Sequence, residues 1–142
     1  MSRVLRINHI GLATGSMEAA LNIFRDGLGL EDVGGEYVES DAVRVSFLPL
    51  GESRLELLEP VGEEGPVQKF LTNRGPGVHH ICLEVDDLPG MLLRLKERGV
   101  ELIDQEPRRG AHGTLVAFIH PRAANGVLVE LVEASSLTGG HY

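Results

Sequence analysis

Two histidines and two glutamates stand at matched positions along this chain, and imidazole with carboxylate is a donor set for a divalent cation. His9 lies in Ile7-Asn8-His9-Ile10-Gly11-Leu12-Ala13, and His80 lies in Val78-His79-His80-Ile81-Cys82-Leu83, 71 residues later. Glu56 lies in Leu55-Glu56-Leu57-Leu58-Glu59 and Glu130 in Val129-Glu130-Leu131-Val132-Glu133, 74 residues apart. Each glutamate interrupts an apolar run, where a carboxylate is costly unless paired or bound to a cation. One such residue could face water at a strand edge. Two at matching positions, each with a matching histidine, invite a common explanation. Mixed nitrogen and oxygen ligands suit Co2+, Zn2+, Ni2+ or Mn2+ better than Ca2+ or thiolate-loving ions. Four ligands on an octahedral ion leave two positions for a substrate that chelates through two oxygens. His79 points to the opposite face of its strand from His80 and stays outside the set. Cys82 reads as a small core residue rather than a nucleophile.

The elements that must carry these residues repeat with them. Residues 4–13 read as a strand, and Ser16 is a candidate N-cap for a helix bearing Met17, Ala20, Leu21 and Phe24 at helical spacing, stopped by Gly27 and Gly29. A shift of 71 residues lands on Leu88, Met91, Leu92 and Leu95, the stripe of a second helix that starts near Asp86-Asp87 and stops at Gly99. In the first half, Glu31–Glu39 is a short strand or loop, Val43–Leu48 a half-buried strand, and Arg54–Leu58 the next. The second half answers with Thr114–His120 and Val127–Val132. The chain is expected to be a single domain over 1–142. Module one covers about 4–60, a linker helix about 61–76, module two about 77–134, and a frayed tail 135–142. The extra three residues of the glutamate spacing are expected within Pro107–Gly113.

Composition narrows the partners. At 142 residues and 42% hydrophobic, the chain can bury an ordinary core. A formal net charge of −8 argues against nucleic acid or an anionic membrane surface. The single cysteine and the absence of a signal-like or membrane-length apolar run point to a reducing, cytoplasmic setting.

With these residues in view, the chain resembles the vicinal oxygen chelate superfamily, and more narrowly the methylmalonyl-CoA epimerases. The likeness rests on His9-Ile-Gly-Leu-Ala13, Leu55-Glu-Leu-Leu-Glu-Pro60, Gly77-Val-His-His-Ile-Cys-Leu-Glu-Val85, Gly110-Ala-His-Gly113, Phe118-Ile-His-Pro121 and Gly126-Val-Leu-Val-Glu-Leu131. The resemblance implies an α+β fold of two tandem βαβββ modules whose curved mixed sheet forms a metal-centred cleft. It implies His9, His80 and Glu130 as metal ligands; the fourth position is Gln in some relatives and Glu56 here, which still suits a ligand. It also implies Co2+ as the ion to which the family points, an acyl-CoA substrate, and a homodimer. The chemistry implied is inversion at C2 of methylmalonyl-CoA through a metal-stabilised enolate. Glu130 is the first candidate base, and Glu56 is a candidate for the opposite face. Some relatives carry a Glu on the strand that here reads Val43-Arg44-Val45, so Arg44 is instead a candidate for holding a substrate oxygen, or a solvated surface residue. His112 is a candidate donor to the substrate carboxylate, or a structural loop residue. Three rival readings remain: a glyoxalase I-type isomerase, a metal-free binding or resistance protein on the same fold, and an extradiol-type dioxygenase, against which a fourth ligand at Glu56 counts.

Overall fold

In the computed structural model, which describes residues 1–137, the elements follow the repeat. They are β1 (Val4–Ala13), α1 (Met17–Leu21), β2 (Gly35–Val38), β3 (Val43–Leu50), β4 (Ser53–Pro60), α2 (Pro66–Arg74), β5 (Gly77–Val85), α3 (Leu88–Glu97), β6 (Arg108–Arg109), β7 (Leu115–Ile119) and β8 (Leu128–Glu133). Each half is therefore β-α-β-β-β, as the resemblance implied. No helix of the described residues is long and apolar enough to cross a membrane.

Two compact units divide the chain: His9–His79, and Met1–Asn8 together with the chain from His80 onward. In the first, strands run in the order β2-β3-β4-β1, with β4 antiparallel to β3 and parallel to β1. Strand alternation sends Leu55 and Leu57 to one face, where Leu21, Met17, Ala20 and Phe24 of the first helix cover them. The other face carries Ala13, Val43, Val45 and Leu58, packed with Val67, Phe70 and Leu71 of α2. In the second unit the order is β5-β8-β7-β6, with β5 parallel and β7 antiparallel to β8. Here α3 lays Leu88, Met91 and Leu92 on Ala117, Leu131 and Val85, while Cys82, Val116 and Val132 form a cluster of their own.

Both module helices begin in the same way. Ser16 Oγ accepts from Ala19 N and Asp87 Oδ1 from Gly90 N, each at 3.1 Å, meeting donors that a helix leaves unbonded in its first turn. A second carboxylate reaches each start from the last strand of the module: Glu59 accepts from Met17 N at 2.9 Å and Glu133 from Leu88 N at 2.7 Å. The repeat is thus written in hydrogen bonds as well as in apolar spacing.

Three details differ from the sequence expectation. The first helix is regular only to Leu21; it then widens into a π-helix over Asn22–Gly27, where Leu28 N reaches back to Ile23 O at 2.9 Å. Phe47 stands opposite Glu56 and Phe118 opposite Glu130, so the 71-residue spacing still holds on β7. The three extra residues therefore fall in the β7–β8 connection, which winds a 3-10 turn at Pro121–Ala123, and not in Pro107–Gly113. The expected tail is held at its start: Ser136 Oγ accepts from Leu115 N at 3.0 Å and donates to Glu133 O at 2.6 Å. The rest of that tail, His141 included, lies outside the described residues.

Candidate metal centre

Glu56 occupies the face of β4 turned away from the first helix, between Arg54 and Leu58, and is 8% exposed. β1 runs parallel to β4 in this unit, and His9 Nδ1 lies 3.3 Å from Glu56 Oε2. Burial pushes the His9 imidazole down to about 4; the Glu56 carboxylate pulls it back up in part, and the Arg54 guanidinium adds to the depression. The contact is consequently that of a neutral imidazole beside a carboxylate at pH 7. A neutral ring keeps the lone pair that a metal ligand needs.

The second unit repeats the couple. His80, 8% exposed on β5, brings Nε2 to 3.6 Å from Oε1 of Glu130 on β8, the strand with which β5 pairs in parallel. That is too long for a hydrogen bond. It is near the spacing of two ligands on one ion: with metal–donor lengths of ~2.1 Å, donors ~90–110° apart stand ~3.0–3.4 Å from each other. Both couples fit a divalent cation by donor type; the 3.3 Å of the first lies within that range and the 3.6 Å of the second just beyond it.

Sequence reasoning missed Arg54. It is only 6% exposed, Nε donates to Glu56 Oε2 at 2.8 Å, and the guanidinium sits 5.6 Å from the centroid of the Phe47 ring. The signal was available: in a strand, Arg54 shares the face of Glu56, so two charges stand together on a face otherwise apolar. A second missed cluster lies on β5, where buried Glu84 accepts from Asn8 Nδ2 at 3.0 Å and Arg6 Nη1 at 3.3 Å. It ties the start of β1 to β5.

Arg44 is not brought to this face. It stands across from Glu59 in the β3–β4 register and donates to Glu59 Oε1 at 2.9 Å, beside the start of the first helix, while its neighbours Val43 and Val45 share the side of Glu56. His112 lies exposed in the turn Ala111–Gly113 with left-handed backbone (φ 57°), a conformation that histidine adopts more readily than bulkier or branched residues. The ring of His79 meets Phe70 edge-on at 5.1 Å, a packing contact on α2. Cys82 is buried in the Val116–Val132 cluster.

Residues 8–118 match the model of the Glyoxalase/Bleomycin resistance protein/Dioxygenase superfamily. An ethylmalonyl-CoA/methylmalonyl-CoA epimerase of Cereibacter sphaeroides is 45% identical over 129 residues, covering 89% of this chain and 96% of its own. The mitochondrial methylmalonyl-CoA epimerase of Mus musculus is 38% identical over 130 residues, covering 91% of this chain and 73% of its own. Among solved structures, a methylmalonyl-CoA epimerase in complex with methylmalonyl-CoA and NH4+ matches with a TM-score of 0.84 at 36% identity, over 96% of this chain and 99% of its own.

Proposed function

The chain belongs to the Glyoxalase/Bleomycin resistance protein/Dioxygenase superfamily, and within it we propose a methylmalonyl-CoA epimerase, an isomerase that inverts C2 of its acyl-CoA substrate. One observation carries the reading: the chain matches epimerases along nearly its whole length while presenting an imidazole–carboxylate couple in each module.

His9, Glu56, His80 and Glu130 are assigned to one divalent cation, Co2+ first, with Zn2+, Ni2+ and Mn2+ as alternatives of the same donor preference. The proton at C2 lies between a thioester carbonyl and a carboxylate. A cation held there would supply Lewis acidity, offsetting negative charge on the substrate oxygen as that proton leaves. Glu130 is assigned the proton: its carboxylate lies beside the imidazole of His80 at a partly exposed position. Glu56 is the candidate for the opposite face. His112, exposed after β6, is the candidate donor to the substrate carboxylate. Arg44 is left out because its guanidinium is engaged by Glu59 on the other side of the sheet. A homodimer and a cytoplasmic location accompany the reading on the strength of the resemblance and the single cysteine.

The test is solvent-deuterium uptake at C2 of methylmalonyl-CoA, with and without chelator. Metal-dependent uptake together with interconversion of the two stereoisomers is expected. Turnover of methylglyoxal with glutathione and no uptake would replace this reading with a glyoxalase-type isomerase. A purified protein that binds neither metal nor acyl-CoA would remove the enzyme reading altogether.

A further inference from the structure

The two modules are alike at the couples and unlike two residues before each glutamate. Applying the 74-residue spacing of the glutamates to Arg54 reaches Leu128, an apolar residue that pairs with His80 in the β5–β8 register. Glu56 therefore has a buried guanidinium beside it on its own strand face, and Glu130 has an apolar side chain at the corresponding place. The Arg54 contact is built: Nε donates at 2.8 Å, the side chain is 7% exposed, and Phe47 lies under the guanidinium on the neighbouring strand. A buried carboxylate held this way carries little net charge toward its surroundings, because the cation beside it is not screened by water.

We infer that Arg54 is a positioning residue that neutralises and clamps Glu56, so that the two matched carboxylates do different work. Glu56 acts as a clamped ligand of nearly compensated charge and the weaker acid/base of the two, and Glu130 is the carboxylate that takes the C2 proton. The inference rests on the metal-centre reading above and adds a charge argument to it. Two carboxylates with no compensation would cancel the charge of a divalent ion and blunt its pull on substrate oxygen. With Arg54 in place the centre keeps net positive charge when loaded.

Opposite effects on two measurements separate this from a merely structural role. In R54M the uncompensated Glu56 should bind Co2+ at least tenfold more tightly by calorimetry on the metal-free protein, while the loaded protein exchanges the C2 proton at least tenfold more slowly. R54K should stay near wild type in both. The double variant R54M/E56Q should return affinity to within a few-fold of wild type. If R54M does not fold, E56Q against R54M/E56Q carries the test, since lone Arg54 should weaken Co2+ binding at least tenfold relative to the double variant. Unchanged or weaker binding in R54M, equal binding in the fallback pair, or an R54K that behaves like R54M would overturn the inference. Wild-type protein that binds no divalent ion would overturn the metal centre itself, a separate outcome visible before any variant is made.

Discussion

Glu133 Oε1 accepts a hydrogen bond from Leu88 N at 2.7 Å, across 45 residues of sequence, and so ties the last strand of the second module to the first turn of its helix. Glu59 and Met17 make the same tie in the first module at 2.9 Å. In both, a carboxylate meets an amide that the helix cannot satisfy and sits at the positive end of the helix dipole.

Glu133→Ala should therefore lower stability by about 1–2 kcal/mol, the usual loss for a helix-start acceptor with charge. Urea unfolding is the measurement, and metal content should be unaltered. A midpoint that does not move would show that the tie contributes nothing.

His80→Ala removes one nitrogen donor from a couple whose members stand 3.6 Å apart. Metal retained after gel filtration should fall at least tenfold, with an unchanged far-ultraviolet circular dichroism spectrum. Glu130→Gln should keep substrate binding and lose proton exchange by about 10²-fold or more, the scale of a lost general base. Retention of exchange in that variant would rule Glu130 out as base.

Arg44→Ala should leave kcat/KM within threefold of wild type, because the side chain is largely exposed and pairs with Glu59 away from Glu56. The stability change should be at most about 1 kcal/mol, as for exposed ion pairs. A tenfold rise in KM would put Arg44 back among the substrate contacts.

The pH dependence of the metal-free protein follows from His9. Its folded value, about 4, lies below the ordinary 6.5, so on acidification the unfolded chain takes up the proton first. Stability is full above pH 6.5 and is lost as pH falls toward 4, by up to about 3 kcal/mol over that window. Denaturant titrations in chelator from pH 7.5 to 4 should show this slope, and His9→Gln should flatten it. An equal slope in both proteins would assign the loss to other groups.

Much of this was legible before any coordinates. The 71-residue repeat of Met17, Ala20, Leu21 and Phe24 in Leu88, Met91, Leu92 and Leu95 depends only on helical periodicity, and periodicity is local. His9 with Glu56 and His80 with Glu130 stood out because a carboxylate inside an apolar strand is rare enough to need a partner. Arg54 escaped notice because an arginine after a turn reads as solvated until its burial against Phe47 is known. The roles of Glu59 and Glu133 escaped for another reason: their amide partners lie 42 and 45 residues away, and no spacing rule reaches that far.

The amino-acid order alone determined the repeat and the strand and helix types, and it singled out the four candidate donor residues, since these follow from residue chemistry and periods of two and 3.6. Tertiary structure decided how close each imidazole comes to its carboxylate, on which side of the sheet Arg44 is spent, and where the extra three residues of the second module go. It also decided that one of two matching glutamates has a buried guanidinium beside it. Those outcomes depend on strand register and on which side chains are kept from water, and both are set by contacts between segments distant along the chain.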